Sequence, residues 1–192
     1  MKAMWKKALT LAVAGVIAQL LIACGAQPGT SHEHNHQKTF KRFQSVDPSK
    51  AVLLEKGEYN NSCSICGMHL PTFYKTNHAI IFKDGKALQF CSIHCLVETM
   101  EYRLSSEEKA QIAEIKAVDA LSTEMIDAKT AHYVIGSKKP GTMSMVSKYA
   151  FKDKGDAEAF AKEFGGEVAD YDHAYAKAKE DFASRKMMHH AH

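Results

Sequence analysis

The chain has 192 residues, 45% hydrophobic and 24% charged, a balance that excludes an intrinsically disordered protein. Its formal charge is +3, and three of its 25 basic residues lie within the first seven positions. The other 22 basic residues equal the 22 acidic ones, so the charge favours neither a nucleic acid nor an anionic membrane as partner. Ligands for soft metals are prominent, with 11 His, 9 Met and 5 Cys.

Residues 1–23 are typical of a lipoprotein export signal. Lys2, Lys6 and Lys7 precede an apolar run over residues 8–23 that is too short and too interrupted for a transmembrane helix. The run ends in the sequence LIAC, which resembles a bacterial lipobox and makes Cys24 the lipidated first residue of the mature protein. We therefore expect a lipoprotein anchored to the membrane through lipid on Cys24 and facing the periplasm.

Residues 24–50 are predicted to form a flexible, His-containing tether because they are polar and rich in turn-forming residues. His32, His34 and His36 alternate within it. A tract of this kind either gathers metal or is a solvated linker, and the pattern does not separate the two.

Residues 51–125 are predicted to form a first α+β half that carries a cluster of cysteines. Apolar strands are expected over residues 77–82 and 86–90, joined by a hairpin at Asp84-Gly85. A helix with one apolar face follows over residues 91–103, and a strand over residues 112–118.

Residues 126–172 repeat this order of elements as a second α+β half. Strands are expected over residues 131–136 and 146–151, a helix over 153–164 that ends at Gly165-Gly166, and a short strand over 167–171. Residues 173–192 are predicted to form a helical, Met/His-rich tail. The fold class expected is α+β, with two similar small ββα(β) halves, a flexible N-terminal tether and a C-terminal helix.

Cys63 and Cys66 form a C-x-x-C pair, which suits a redox dithiol, a structural disulfide or a metal clip. A thioredoxin-like dithiol opens a helix, which Gly67 and the later Pro71 would break. Met68 follows Cys66 by two residues, and a turn at Gly67 would bring its thioether to the thiolate. Such a soft, low-coordinate site favours Cu(I) over Zn(II).

Cys91 and Cys95 form a second pair, placed on one face of the predicted helix by their i, i+4 spacing, with His94 one step round. Together with the first pair they have a spacing plausible for a four-sulfur zinc site. Disulfides are the alternative in an oxidising compartment.

A third group of candidate ligands is Met143 and Met145, which strand alternation would place on the same side of the sheet. Two thioethers facing one way could complete a Cu(I) site, and ordinary packing is the alternative. His69 is a further candidate ligand, although an exposed histidine beside a motif usually binds nothing.

Taken together, these residues resemble the NosL family over residues 58–172. The stretches that carry the resemblance are Cys63-x-x-Cys66-Gly67-Met68, Phe90-Cys91-Ser92-Ile93, Ala131-His132-Tyr133-Val134-Ile135-Gly136, and Ala150-Phe151 through Ala159-Phe160-Ala161 to Gly165-Gly166.

The resemblance implies a lipoprotein of two small α+β halves that binds Cu(I) and passes it to nitrous oxide reductase, docking on a membrane maturation complex. It implies Cys66 and Met68 as the core copper ligands and Met143 or Met145 as a third. Cys95 and His94 depart from the family pattern, which leaves open a second metal site or another copper enzyme as client.

The function predicted is therefore a copper(I) chaperone, with no enzymatic activity of its own. The alternatives are a thiol-disulfide oxidoreductase and a zinc-stabilised module.

Overall fold

The computed structural model describes residues 42–57 and 60–189, and side chains as far as residue 182. The predicted signal, Cys24 and the histidines of the tether lie outside the described residues. The described residues form one compact unit. Its helices and two small antiparallel sheets confirm the α+β class.

The first sheet has four antiparallel strands in the order β2-β1-β3-β4. The strands are β1 (His78–Phe82), β2 (Ala87–Phe90), β3 (Ile112–Val118) and β4 (Met125–Asp127). The predicted hairpin joins β1 to β2, and the Asp84 carboxylate accepts a hydrogen bond from the Lys86 backbone N–H within it. Helix α1 (Ile93–Tyr102) follows β2 directly, and the short helix α2 (Ser106–Lys109) precedes β3.

The second sheet has three antiparallel strands in the order β6-β5-β7. They are β5 (His132–Ile135), β6 (Lys148–Phe151) and β7 (Glu167–Ala169), with helix α3 (Lys154–Phe164) between the last two. In both halves the first strand is central, flanked by its hairpin partner and by the strand that follows the helix. The two halves therefore share a ββαβ topology, as predicted.

The C-terminal helix α4 (Tyr171–His189) confirms the predicted helical tail and packs against α1. The Phe182 ring stacks on His94 with centroids 3.8 Å apart, and the Tyr175 hydroxyl donates to the Glu101 carboxylate at 2.9 Å. A buried ion pair also joins α4 to β6, where Lys148 Nζ lies 2.7 Å from an Asp181 oxygen. Within the described part of the chain, no helix combines the length and apolar character needed to cross a bilayer.

Three features were not predicted from the sequence, and the first is the edge strand β4. A 3-10 helix, Leu70–Thr76, follows the first cysteine pair and buries Leu70 and Tyr74. Phe43 and Gln44, which lie within the predicted flexible tether, pack against the second half instead: the Phe43 ring contacts Tyr149, and the Gln44 amide donates to the Pro140 carbonyl. Burial of the Phe43 ring and the hydrogen bonds donated by the Gln44 amide nitrogen explain why this part of the tether is ordered.

Two clusters of buried side chains form the core. The larger one includes Cys63, Cys91 and Cys95 beside residues of the first sheet, α1 and α4. The smaller one lies between the second sheet and α3, around Phe151 and Phe160. The larger cluster also takes in Tyr133 and Ile135 of β5, so the cysteines are part of an interior that both sheets share.

Candidate metal centre

The first cysteine pair lies on a tight turn that its own backbone closes. The Gly67 N–H donates to the Cys63 carbonyl at 2.9 Å, and the Cys63 N–H donates to the Met68 carbonyl at 2.8 Å. Gly67 adopts a φ of +71°, which glycine reaches without steric cost. Backbone hydrogen bonding from Cys66 and Ile65 also helps to lower the pKa of the Cys63 thiol. The turn predicted at Gly67 therefore orients both thiols and Met68.

The second pair spans the junction of β2 and α1. Cys91 directly follows β2, and Cys95 lies in the first turn of α1, so the two thiols face the same way. The Thr76 hydroxyl donates to the Cys91 carbonyl at 2.8 Å and lies 2.9 Å from the Thr142 hydroxyl. This chain of hydroxyls connects the second pair to the loop that carries Met143.

All four thiols meet in one cluster, in which every sulfur lies within 4.8 Å of the others. The Cys66 sulfur is 3.6 Å from that of Cys91 and 3.7 Å from that of Cys95, and the Cys91 and Cys95 sulfurs are 3.8 Å apart. The Met68 sulfur adds a fifth, 4.0 Å from Cys91. A disulfide requires about 2.05 Å, so these are free thiols in contact and not disulfides.

Burial and mutual hydrogen bonding set the proton affinities of the thiols. Hydrogen bonds donated by the Cys91 and Cys95 thiols hold the pKa of Cys63 below its ordinary value. The same hydrogen bonds, together with burial, raise the pKa values of Cys91 and Cys95. Cys66 is the exposed member of the four. Cys63 therefore loses its proton more readily than Cys91 and Cys95.

The methionines at 143 and 145 do not lie on a strand, because β6 begins only at Lys148. The prediction that alternation places them on the same side is therefore wrong. Met143 has a left-handed backbone with φ of +62° and packs against the core cluster that contains the cysteines, whereas Met145 is 98% exposed. The loop instead folds around Ser144, whose hydroxyl binds both the backbone of Val146 and the Asp181 carboxylate. Whether either thioether binds metal stays a prediction.

The two candidate histidines both have partners in the protein. His94 is buried on α1 and stacks on Phe182, which accounts for its position without a metal. His69 Nδ1 lies 2.8 Å from the Thr72 hydroxyl at the start of the 3-10 helix. Their roles as ligands also stay predictions.

The polar residues that support the centre were not predicted from the sequence. Thr76 and Thr142, which are 66 positions apart, are both buried and joined by a hydrogen bond. In the loop that carries Met143, the Ser144 hydroxyl accepts a hydrogen bond from Lys148 and donates one to Asp181. Such residues have no local spacing pattern, so only the tertiary structure identifies them.

Comparison with known proteins gives one family match. The sequence model of the NosL family matches residues 55–178. Among solved structures, the chain is similar to the copper chaperone NosL from Shewanella denitrificans, with 27% identity over 66% of this chain and 96% of that one and a TM-score of 0.47. No curated protein matches. The family match takes in both halves of the fold and all four clustered cysteines, and the chain accordingly belongs to the NosL family.

Proposed function

We propose that this protein is a copper(I) carrier that binds the ion at its sulfur cluster and donates it to a copper enzyme, without catalysing a reaction itself. The observation that supports this best is the position of the Cys91 sulfur, which lies 3.6 Å from the Cys66 thiol and 4.0 Å from the Met68 thioether. Thiolate and thioether sulfur are soft ligands that select Cu(I).

Transfer of the ion would proceed by ligand exchange from the exposed side of the cluster. Cys66 is exposed and Met68 is half-buried, whereas Cys63, Cys91 and Cys95 are buried. A ligand of the client can therefore approach the ion past Cys66 and Met68 and displace them one at a time. The buried thiols retain the ion until the new bond forms, which keeps free copper low.

We also propose where the protein is anchored and which enzyme receives its copper. Lipid on Cys24 would hold the protein at the membrane, facing the periplasm. The client would be nitrous oxide reductase with its membrane maturation complex. The sequence LIAC at residues 21–24 and membership of the NosL family support these assignments. The solved relative from Shewanella denitrificans is described as a copper chaperone.

A thiol-disulfide oxidoreductase is less well supported. In such enzymes the attacking thiol lies at a helix N-terminus, which lowers its pKa. Here Cys63 and Cys66 lie on a turn, and the 3-10 helix begins only at Leu70. The cysteine in the first turn of α1 is Cys95, which is buried and whose pKa is raised.

A Cu(I) titration against a competing chelator tests the proposal, with the full-length reduced protein in detergent. We expect Cys66→Ser and Met68→Leu each to weaken Cu(I) binding at least about tenfold, equivalent to about 1.4 kcal/mol. Met125→Leu is the matched control, because Met125 lies on β4, at the edge of the first sheet opposite to β2. Unchanged affinity in both Cys66→Ser and Met68→Leu would refute the copper(I) proposal.

A further inference from the structure

We propose that the four cysteines also form a closed tetrathiolate site for a tetrahedral dication of the Zn(II) class, bound without Met68. This goes beyond the copper(I) proposal and does not depend on it. The two ions would compete for one cluster but use different sets of ligands. Zn(II) in such sites takes four protein ligands, and thioether sulfur is not among those it uses.

The spacing of the sulfurs fits a tetrahedron around one ion. Zn–S bonds of about 2.3 Å place the corners of a regular tetrahedron about 3.8 Å apart. The three closest sulfur pairs are separated by 3.6, 3.7 and 3.8 Å, and Cys63 lies within 4.8 Å of each of the other three. An ion at the centre would therefore require little movement of the Cys66, Cys91 and Cys95 sulfurs. The Cys63 sulfur would need at most a small inward shift.

Sulfur atoms in simple van der Waals contact lie at similar separations, so a second observation carries more weight. The Gly67 N–H closes the turn onto the Cys63 carbonyl, and the Cys63 N–H donates to the Met68 carbonyl. The backbone thus holds the turn in the conformation that places the Cys66 sulfur against those of Cys91 and Cys95. Hydrogen bonds that orient the ligand-bearing residues are a general feature of metal sites.

The position of the cluster in the fold also suits a closed site. Cys63, Cys91 and Cys95 are each at most 3% exposed and belong to the larger core cluster. Cys63 and Cys66 come from the turn, and Cys91 and Cys95 come from the junction of β2 and α1. An ion held by all four would cross-link these two segments, and its removal would loosen the first half.

Titration of the reduced, full-length protein with Co(II) in detergent tests the proposal. Co(II) in a tetrahedral thiolate site gives intense visible ligand-field bands and a sulfur-to-metal charge-transfer band in the near ultraviolet. We expect this spectrum to saturate at one Co(II) per chain and to vanish when Zn(II) is added. Cys63→Ser and Cys95→Ser should each weaken Co(II) binding at least about tenfold, whereas Met68→Leu should leave both spectrum and affinity unchanged.

A pale, six-coordinate spectrum, or Co(II) binding that survives Cys63→Ser, would overturn the tetrathiolate proposal. If the serine variants fail to fold, X-ray absorption at the zinc edge of the wild-type protein decides the question: four sulfur neighbours support the proposal, and fewer overturn it. The same variants separate the two proposals. If Met68→Leu weakens Cu(I) binding and leaves Co(II) binding unchanged, both proposals are supported. If only the Co(II) binding fails to behave as expected, the copper(I) proposal stands.

Discussion

The buried ion pair between β6 and α4 provides a sharp test of how the C-terminal helix is held. The Lys148 side chain is 3% exposed, and its Nζ lies 2.7 Å from an Asp181 oxygen whose side chain is 18% exposed. The ammonium also donates to the Val146 carbonyl at 3.1 Å and to the Ser144 hydroxyl at 3.3 Å. Asp181→Asn keeps the shape of the side chain and removes its charge.

Removing one partner from a buried ion pair costs about 3–5 kcal/mol, because the other charge is left without compensation. Asp181 is partly exposed and the asparagine can still accept one hydrogen bond, so we expect a loss of about 2–3 kcal/mol at pH 7. Burial lowers the pKa of Lys148, and Asp181 opposes that shift. The variant should therefore have a still lower Lys148 pKa.

The lowered pKa of Lys148 makes the stability of the folded protein depend on pH. A lysine whose pKa is lower in the folded state binds fewer protons there than in the unfolded chain, so stability rises with pH up to the ordinary lysine value. The deficit of Asp181→Asn relative to wild type should therefore shrink between pH 7 and pH 10, because a neutral Lys148 needs no counter-charge.

Urea unfolding of the reduced, metal-free protein at several pH values measures these differences in free energy. The double variant Lys148→Met/Asp181→Asn should recover at least half of the loss, since no unpaired charge remains. Glu180→Gln, at a carboxylate on the same helix that is 64% exposed, should leave the unfolding midpoint unchanged. A loss below about 0.5 kcal/mol in Asp181→Asn, or a double variant no more stable than the single one, would refute the reasoning.

Two further predictions concern the first sheet and the second half. Complete burial lowers the pKa of His78 to about 4, so stability should fall by up to about 3 kcal/mol as the pH drops from 6.5 to 4. Denaturant titrations of wild type and His78→Gln across this range should diverge, and parallel profiles would contradict the assignment. Gly166→Ala should destabilise by about 1–3 kcal/mol, because Gly166 has a φ of +95° and a Cβ there would lie 2.7 Å from the Ile135 carbonyl oxygen. Gly155→Ala in α3 meets open space and should stabilise by about 0.5 kcal/mol, and equal effects of the two substitutions would show that backbone conformation is not the cause.

The sequence by itself determined the local features of this protein. Apart from the edge strand β4 and the short helices, the strands and helices of both halves lie within a few residues of their predicted positions, because each depends on hydrophobic periodicity and on turn residues such as Asp84-Gly85. The turn that orients Cys63, Cys66 and Met68 was also predictable, since only glycine readily supplies the backbone conformation found at Gly67.

Only the tertiary structure decided how these pieces meet. The two cysteine pairs, separated by 25 residues between Cys66 and Cys91, converge because β2 and α1 pack against the turn. The spacing of Met143 and Met145 suggested a shared face, but the loop's side-chain hydrogen bonds to α4 override that alternation. Periodicity reports which face of an element is apolar and not which distant element covers it. The sequence could therefore propose the sulfur ligands, while long-range packing determined that four thiols and one thioether share a single site.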